Sequence, residues 1–405
     1  MAPDTSASDM PASDTPAKTF QIFIHTGEVS GDLQGGLLAM ALQKQAEKRG
    51  FSIALTGVGG SRMQEAGVEI LVDTVQLSAI GVFEAIPYYL AGRSAQKQVN
   101  EYLVNNPPDL LVLLDYKGPN LPVGKFVRKM RPNTPIVYYI APQEWVLKTS
   151  ATETIVEISD KLLAIFPGEA TYYEEAGANV RWVGHPLIDI LAEPMTKAEA
   201  RRALAIAPDA KVVTLLPASR KQELKYIMPR MFAAARLIQE KQPGVKFLVP
   251  VSLPDFRGEI NEAIAEFELN ARLIDKADGQ RAIAAADVVI NKSGTVNLEV
   301  ALMNVPQVVM YRLSYLTGLI AQYIVRWSGD FVSPVNLMEN QPIVPEFLQW
   351  YAIPSDIGTA ALALLTDADK RQTMLDGYQQ MRQAMGAVGV CDRAANEILD
   401  MLPDS

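Results

Sequence analysis

Apolar positions along this chain fall into two patterns that alternate. Short runs of consecutive apolar residues, such as Leu110–Leu114 and Val212–Leu216, are typical of strands buried on both faces of a parallel sheet. Longer segments, such as Met228–Lys241, carry apolar residues at helical spacing. Runs of the first kind predict further strands at Gln21–His25, Ile53–Val58, Ile136–Ile140, Lys161–Phe166, Arg181–Val183, Lys246–Val251, Ala271–Ile274, Val288–Ile290 and Gln307–Met310.

The predicted strands and helices alternate, with short turns that contain glycine and proline. This order predicts an α/β fold of parallel sheets with right-handed crossovers. The pattern restarts after Pro186, beyond a linker with short-helix character to about Pro208, so we expect two sheets. The carboxyl ends of their strands, where ligands bind in such folds, can face one cleft. The predicted helices are Asp32 to about Lys48, a helix from Ser61, Glu259–Glu266, Gly279–Ala286, Thr295–Met303 and a helical tail from Asp356 onward.

Composition excludes several classes of protein. The 405 residues, 49% of them hydrophobic, suffice for two or three domains. A formal net charge of −9 argues against general nucleic-acid binding. The single cysteine, Cys391, cannot form an internal disulfide, which indicates a reducing compartment. Since His25 and His185 are the only histidines, a metal site built on cysteine or histidine is not expected.

Two segments bear on targeting and membranes. Residues 1–18 are rich in Ser, Asp, Pro and Ala and lack the features of a signal or transit peptide, so we expect a disordered tail. No run of 18 uncharged apolar residues occurs, so we expect no membrane span. The nearest approach, Tyr315–Trp327, fits a core helix or an interfacial one.

The turn Leu215–Arg220 ends an apolar strand and carries one arginine. The guanidinium of Arg220 offers a fork of donors matched to phosphate. The alternative is a surface salt bridge between Arg220 and Glu223.

A second such turn, Asn291–Glu299, opens a helix. Ser293, Gly294 and Thr295 bring hydroxyls and backbone N–H groups to the helix start, where anions are favoured. Glu299, one turn inside, can accept hydrogen bonds from sugar hydroxyls, although it can also serve only to stabilise the helix dipole. The two turns together predict a metal-free site for a nucleotide diphosphate that carries a sugar.

Asp115 follows the buried strand Leu110–Leu114, at the end of a parallel strand where active sites form. Partial burial would raise its pKa toward that of a useful base, and Lys117 would lower it. The alternative is an Asx-turn cap. The earlier turn Gly27–Asp32 does not match the dinucleotide fingerprint. It fits a functional loop or a simple turn in which Ser30 or Asp32 caps the next helix.

Two further polar positions have competing interpretations. His185, in Val183–Pro186 at the expected domain junction, could contact a ligand in the cleft or fix the hinge. Asp367 and Asp369 match the D-x-D pattern of metal-using sugar transferases, but their place between helices favours helix capping.

Taken together, these motifs resemble those of the lipid-A-disaccharide synthases, glycosyltransferases of the GT-B fold, in their cyanobacterial type. The resemblance runs from about Phe20 to the C-terminus. The motifs that carry it are Thr26–Asp32, Gly57–Met63, Ile140–Trp145, Val183–Pro186, Leu216–Arg220, Ser293–Glu299, Phe331–Leu337 and Pro345–Gln349.

The resemblance implies two Rossmann-like, doubly wound domains that face a central cleft. It implies an N-terminal acceptor domain (19–190), a C-terminal UDP-sugar domain (191–350) and C-terminal helices (351–405) that cross back. The implied reaction moves 2,3-diacylglucosamine from UDP to the 6-hydroxyl of 2,3-diacylglucosamine 1-phosphate, with inversion. From the residues themselves we expect no metal and no cofactor. By motif position Asp115 is the base and Glu28 an acceptor-side carboxylate. The UDP-side positions are Arg220, Ser293, Gly294, Thr295, Glu299, Asn336, Glu346 and Gln349. Apart from the resemblance, Ser30 and His185 are candidate contacts in the cleft.

The chain departs from the common family pattern next to the expected base. D-A-P-D-F-N becomes D-Y-K-G-P-N, so Gly118 replaces a second aspartate, and W-A-W-R ends here in Leu147 and Lys148. These departures leave the acceptor and its acyl chains undetermined. The family's acylated substrates imply a cytoplasmic protein held at the inner face of the plasma membrane. Val82–Leu90 is the candidate contact, or else a core helix. The resemblance allows a homodimer.

Two rival functions share the same pocket. A UDP-N-acetylglucosamine 2-epimerase would need no lipid and would release free sugar from the donor alone. A non-catalytic protein that lost turnover with Gly118 would bind UDP-sugar and leave it intact.

Overall fold

The computed structural model describes residues 18–27, 29–73, 85–142, 144–147, 151–313 and 331–403, with the backbone alone at 29, 85–91, 146 and 147. Within these residues, thirteen strands form two sheets in which every strand pair is parallel. The N-terminal sheet contains β1 (Thr19–His25), β2 (Ser52–Gly59), β3 (Glu69–Asp73), β4 (Leu110–Leu114), β5 (Ile136–Tyr139), β6 (Lys161–Ala164) and β7 (Val180–Trp182). The C-terminal sheet contains β8 (Val212–Leu216), β9 (Lys246–Pro250), β10 (Ala271–Ile274), β11 (Val288–Lys292), β12 (Gln307–Tyr311) and β13 (Glu346–Leu348).

Helices connect the strands and cover the sheets. Those up to the second sheet are α1 (Val29–Lys48), α2 (Ser61–Glu65), α3 (Ala85–Asn105), α4 (Lys117–Met130), α5 (Glu144–Leu147), α6 (Thr152–Ile158), α7 (Pro167–Glu175), α8 (Leu187–Ile190) and α9 (Lys197–Ala203). Those that follow are α10 (Lys221–Tyr226), α11 (Met228–Lys241), α12 (Arg257–Glu266), α13 (Gly279–Ala285), α14 (Val296–Leu302), α15 (Pro334–Glu339), α16 (Pro354–Thr366), α17 (Ala368–Met385) and α18 (Val390–Leu399).

Both sheets are doubly wound. The strand orders are β3-β2-β1-β4-β5-β6-β7 and β10-β9-β8-β11-β12-β13. The direction of winding therefore reverses between β1 and β4 in one sheet and between β8 and β11 in the other. The two-sheet α/β fold predicted from the sequence is confirmed. Ligands in such folds bind at the carboxyl ends of the strands where the winding reverses.

The apolar runs form strands because both of their faces are covered. All five residues of β4 are fully buried, as are nearly all residues of β8 and β11. One cluster of buried apolar side chains continues from the N-terminal sheet through α8 and the C-terminal helices to the second sheet. The two halves of the chain thus share a core.

The last helix lies against the first half of the chain. Helix α18 packs on α1, and the ion pair Lys44–Asp392 joins the two helices at 2.7 Å. A second pair, Arg49–Asp400, also at 2.7 Å, lies one residue beyond the ends of both helices. Asp189, in α8, accepts hydrogen bonds from the first N–H groups of α18, including that of Gly389 at 2.7 Å. The limits of the domains, 19–190, 191–350 and 351–405, stay a prediction.

Several sequence expectations need correction or fall outside the described residues. The short strands β3 and β13 were not predicted, and α1 begins at Val29 rather than Asp32. Residues 1–17, the stretch Tyr315–Trp327 and the side chains of Val82–Leu90 lie outside the description. Among the helices that are described, none combines the length and the apolar character needed to span a bilayer.

Candidate active site at the carboxyl ends of the two sheets

Asp115 lies directly after β4, at the point where the N-terminal sheet reverses its winding. Its Oδ2 accepts a hydrogen bond of 2.9 Å from the hydroxyl of Ser30, in α1. The N-cap position of helix α4 is Tyr116, one residue after Asp115, and among the described residues the Asp115 carboxylate bonds to Ser30 and not to the start of that helix. The backbone of Asp115 is in the left-handed region, with φ of 64°. An aspartate in this conformation at a strand end is held there by its surroundings, because the left-handed region is disfavoured for residues with a Cβ.

The electrostatic surroundings of Asp115 suit a base. Burial raises the pKa of its carboxyl above the usual value, and the hydrogen bond from Ser30 opposes that rise. Lys117, which the sequence suggested as a nearby cation, pairs instead with the buried Glu144 at 2.5 Å. A carboxylate with a raised pKa is a stronger proton acceptor than an ordinary aspartate.

The turn between β1 and α1 does not cap α1 in the way the sequence suggested. Ser30 bonds to Asp115, and Asp32 anchors the start of α2, where it accepts from the N–H groups of Gly60 at 2.8 Å and Met63 at 3.0 Å. The expectation that Ser30 or Asp32 caps its own helix is therefore wrong. Glu28 lies outside the described residues.

Tyr116 and Gly118 form a matched pair beside Asp115. A Cβ atom at Gly118 would come within 2.7 Å of ring carbon Cε1 of Tyr116, closer than real Cβ contacts allow. Tyr116 is 47% exposed, and its ring also lies near Gly27. The tyrosine ring thus occupies the space that a larger residue at position 118 would need.

In the C-terminal sheet, Arg220 follows β8 at the second reversal of winding. The predicted alternative, a salt bridge with Glu223, is absent from the described residues. Glu223 instead accepts from the backbone N–H of Arg220 at 3.0 Å and pairs with Lys292, at the end of β11, at 3.1 Å. Within the same part of the chain the exposed Arg220 guanidinium has no ion pair or hydrogen bond. The Glu223–Lys292 pair, which the sequence gave no reason to expect, ties together the two turns.

The turn after β11 is held by hydrogen bonds within the turn and to the loop before α15. The hydroxyl of Ser293 donates to the carbonyl of Val332 at 3.0 Å, and the N–H of Gly294 donates to Oδ1 of Asn297 at 3.0 Å. Asn297, a fully buried side chain that sequence reasoning passed over, thereby fixes the turn. Thr295 remains exposed at the start of α14.

Glu299, in α14, is affected by a charge from the other half of the molecule. Burial raises the pKa of its carboxyl, and the charge of Arg62, at the start of α2 in the N-terminal half, lowers it. One acidic side chain of the C-terminal half and one basic side chain of the N-terminal half are therefore close enough to interact electrostatically.

Three more predicted site residues lie in or next to α15 and β13: Asn336, Glu346 and Gln349. Glu346 accepts from the N–H groups of Val332 and Ser333 and from Nδ2 of Asn336, at 2.8 to 2.9 Å. Burial raises the pKa of Glu346, and these bonds oppose the rise. Gln349 accepts from the N–H of Leu313 at 2.7 Å, and its amide nitrogen has no partner within the described residues. Glu346 and Asn336 thus hold the loop before α15.

His185 lies where the chain passes between the two sheets. The backbone N–H of His185 donates to the carbonyl of Met385 at 2.8 Å, and the ring Nδ1 accepts from the backbone N–H of Leu187 at 3.2 Å. Burial lowers its pKa to about 3, so the ring is neutral. These bonds support the hinge interpretation, and contact with a ligand stays a prediction.

Asp367 accepts from the N–H groups of Asp369 and Lys370, at 3.0 and 3.1 Å, which confirms the predicted helix cap. In the part of the chain that the structure describes, no cluster of three or more histidine, cysteine or acidic side chains is arranged to hold a metal ion.

Comparison with known proteins adds independent findings. The chain matches the Lipid-A-disaccharide synthetase family over residues 22–398. The Lipid-A-disaccharide synthase of Gloeothece citriformis is 50% identical over 382 residues, which cover 94% of this chain and 99% of that protein. The Lipid-A-disaccharide synthase of Synechocystis sp. is 47% identical over 383 residues, 94% of this chain and 97% of that protein.

Solved structures show the same architecture at low identity. UDP-GlcNAc 2-epimerase from Neisseria meningitidis, bound to UDP-GlcNAc, superposes with a TM-score of 0.63 at 11% identity, covering 94% of this chain and 99% of that one. At this identity the likeness extends to the fold alone.

Proposed function

Because this chain belongs to the lipid-A-disaccharide synthase family, we propose that it transfers 2,3-diacylglucosamine from UDP to the 6-hydroxyl of 2,3-diacylglucosamine 1-phosphate. The oxygen of that hydroxyl attacks the anomeric carbon of the donor and loses its proton. The bond from that carbon to the diphosphate breaks, and UDP leaves. The products are the β-1,6-linked disaccharide 1-phosphate and UDP.

The observation that carries the proposal is Asp115 at the reversal point of the N-terminal sheet. Its carboxylate is oriented by Ser30 and made more basic by burial. In the proposed mechanism Asp115 takes the proton of the acceptor hydroxyl as that oxygen attacks. General base catalysis of this kind contributes roughly 10²- to 10⁴-fold. Glu28 is assigned to the acceptor side by its motif.

The donor is held by the turns after β8 and β11. The exposed guanidinium of Arg220 binds the diphosphate and stabilises the negative charge that develops as UDP departs. The hydroxyl of Thr295 adds a donor, and Glu299 accepts from sugar hydroxyls. The pocket is shaped by Ser293, Gly294, Asn336 and Glu346, whose hydrogen bonds hold the turn after β11 and the loop before α15. Gln349 contributes its amide nitrogen, which has no partner among the described residues. No metal or cofactor is assigned a part.

The acyl chains of both substrates set where the protein works. Each buried CH₂ contributes about 0.8 kcal/mol to membrane partition, so diacylated sugars reside in the bilayer. We therefore also propose a cytoplasmic protein that binds peripherally at the inner face of the plasma membrane, with the Val82–Leu90 segment as the contact. A homodimer is part of the same proposal.

The direct test is incubation of the purified protein with the acylated UDP-glucosamine donor and the acyl-glucosamine 1-phosphate acceptor, with mass detection of the disaccharide. Asp115→Asn, which keeps the size of the side chain, should abolish transfer and leave UDP binding intact by calorimetry. Asp109→Asn is the matched control, because Asp109 precedes the same strand at its opposite end and accepts from the N–H of Gln21.

The rival functions give different products. Free sugar released from the donor without any acceptor would indicate an epimerase. UDP binding with an intact donor in the presence of every acyl acceptor would indicate a non-catalytic protein. Transfer by Asp115→Asn within about threefold of the parent would remove Asp115 from the role of base, since loss of a general base costs roughly 10²-fold or more.

A further inference from the structure

Beneath the turn that carries Asp115 lies a chain of three buried polar side chains from three different elements. His25 ends β1, Asn120 belongs to α4 and Tyr138 to β5. Their exposed fractions are 3%, 0% and 0%. Nδ1 of His25 lies 2.6 Å from Oδ1 of Asn120, and Nδ2 of Asn120 lies 3.3 Å from the hydroxyl oxygen of Tyr138. The proposed mechanism gives none of them a role.

The direction of each hydrogen bond among these three side chains follows from the two main-chain carbonyl groups that they contact. Nδ2 of Asn120 faces the carbonyl oxygen of Leu114 at 2.8 Å, and the Tyr138 hydroxyl faces the carbonyl oxygen of Asp115 at 2.9 Å. A carbonyl can only accept, so the amide nitrogen and the hydroxyl must donate there. Oδ1 of Asn120 is then left to face His25.

The protonation of His25 is fixed by the same reasoning. Since Oδ1 of Asn120 can only accept, Nδ1 of His25 must carry a proton. Burial lowers the pKa of His25 to about 4, and the bond to Asn120 opposes that decrease, so the ring is neutral at physiological pH. The bonds run in one direction, from His25 through Asn120 and Tyr138 to the main chain at the end of β4, an arrangement in which each bond polarises the next.

We propose that His25, Asn120 and Tyr138 form a positioning relay that holds the left-handed backbone of Asp115 and so aims its carboxylate at the acceptor hydroxyl. Asn120 and Tyr138 donate hydrogen bonds to the main-chain carbonyls of Leu114 and Asp115 and not to the Asp115 carboxylate itself. This inference rests on the proposed role of Asp115 as the base.

Such a relay would affect the rate through the position of the Asp115 carboxylate relative to the acceptor hydroxyl. A misplacement of about 1 Å between reacting groups can cost roughly 100-fold in rate. Asp115 has φ of 64°, a left-handed conformation that costs a non-glycine residue free energy, so contacts that restrain its backbone help to keep the carboxylate in place. Loss of the Tyr138 hydroxyl would free the carbonyl of Asp115, and the carboxylate would then lose its fixed distance to Ser30.

The chain offers a matched pair of tyrosines to test this. Tyr139 is the next residue in β5, is also 0% exposed, and its hydroxyl has no hydrogen-bond partner within the described residues. Tyr138→Phe should lower kcat roughly 10- to 100-fold with little change in KM for either substrate, because placement and not binding is affected. Tyr139→Phe should keep kcat within about threefold of the parent, since no bond to the turn is lost. Equal kcat values for the two variants would overturn the relay.

A pH profile separates positioning from general damage. Tyr138 lies in the field of Asp115 and Glu144, and Glu144 pairs with Lys117. Glu169, in α7, interacts with the charge of Asp115. Tyr138→Phe changes none of these charges. If the carboxylate of Asp115 loses its bond to Ser30, its pKa rises, so the acid limb of kcat/KM should move to higher pH only in Tyr138→Phe. An unmoved limb would contradict the relay.

A second pair of variants covers the case in which Tyr138→Phe folds poorly. His25→Asn can still donate to Asn120 and should retain most of kcat, whereas His25→Leu cannot and should lose it. Equal activities for these two would also count against the relay. Failure of the proposed function gives a different result, because the parent would then form no disaccharide. If Asp115 were not the base, Asp115→Asn would stay active. Failure of the relay alone leaves the parent active and Asp115→Asn inactive.

Discussion

The hydroxyl of Ser30 donates to Oδ2 of Asp115 over 2.9 Å and thereby joins the first turn of α1 to the end of β4. The two residues follow the two strands, β1 and β4, between which the N-terminal sheet reverses its winding. The bond opposes the effect of burial on the Asp115 pKa, so it keeps the carboxyl ionised at a lower pH than burial alone would allow.

Ser30→Ala should therefore move the acid limb of the kcat/KM profile to higher pH. Removing the bond leaves the effect of burial unopposed, which raises the Asp115 pKa and protonates the base over a wider range. Ser159→Ala is the control, because the Ser159 hydroxyl is buried without a partner in the described residues. Coincident profiles for the parent and Ser30→Ala would show that the bond does not tune the base.

Arg220→Ala should weaken donor use more than it affects folding. A charge-assisted hydrogen bond is worth roughly 1.5–3 kcal/mol, so UDP affinity should fall about 10- to 100-fold, measurable by calorimetry. Arg202→Ala is a suitable control, since Arg202 is an exposed arginine on α9. That helix lies near the amino ends of the strands, away from Arg220. Its residue Arg201 pairs with Asp287, which also accepts from the N–H of Val212 at the start of β8. Unchanged UDP affinity and turnover in Arg220→Ala would exclude Arg220 from the site.

Gly118→Asp, which restores the aspartate of the common family pattern, should lower transfer several-fold rather than raise it. A Cβ at position 118 would displace the Tyr116 ring, 2.7 Å away, from its place beside Asp115. Because Tyr116 is largely exposed and can rotate, the free energy of unfolding should change little. Steady-state kinetics with both substrates measures the effect.

Gly258→Asp is the matched control for Gly118→Asp. Gly258 is also the second residue of its helix, α12, and a Cβ there meets nothing within 4 Å. Faster transfer by Gly118→Asp would mean that the loss of the second aspartate had impaired the chain.

Glu169→Gln should flatten the pH dependence of stability between about pH 5 and pH 8. Burial raises the pKa of Glu169 from 4.5 to about 8, while its Oε2 accepts from the N–H of Ile165 at 2.9 Å. The folded protein thus keeps a proton that the unfolded chain releases. The stabilisation is complete below the unfolded value near 4.5 and is lost as pH rises through 8.

Urea unfolding at several pH values measures this effect. In the parent, Glu169 should reduce the free energy of unfolding by up to about 1.4 kcal/mol per pH unit in that window. The histidines titrate in the opposite sense in both proteins and cancel in the comparison. Parallel slopes for the parent and Glu169→Gln would show that Glu169 ionises normally in the folded state.

Strands with strong local patterns were predictable. Leu110–Leu114 and Val212–Leu216 have the predicted bounds, because five consecutive apolar residues are stable only where both faces are covered. The short edge strands β3 and β13, whose residues are mostly half-buried, lack that pattern and were missed. The carboxyl-end turns that carry Asp115 and Arg220 were also located from the sequence, because a glycine- or proline-bearing turn after such a run marks the end of a strand.

The sequence by itself determined the order of strands and helices, the two sheets and the residues at their ends, because these depend on neighbours along the chain. Only the tertiary structure decided which side chains meet. Asp32 anchors α2 rather than α1, Glu223 pairs with Lys292 rather than Arg220, and His25 bonds to a residue 95 positions away. Each of these partners is brought close by the pairing of strands, and a local pattern carries no information about distances that sheet packing sets.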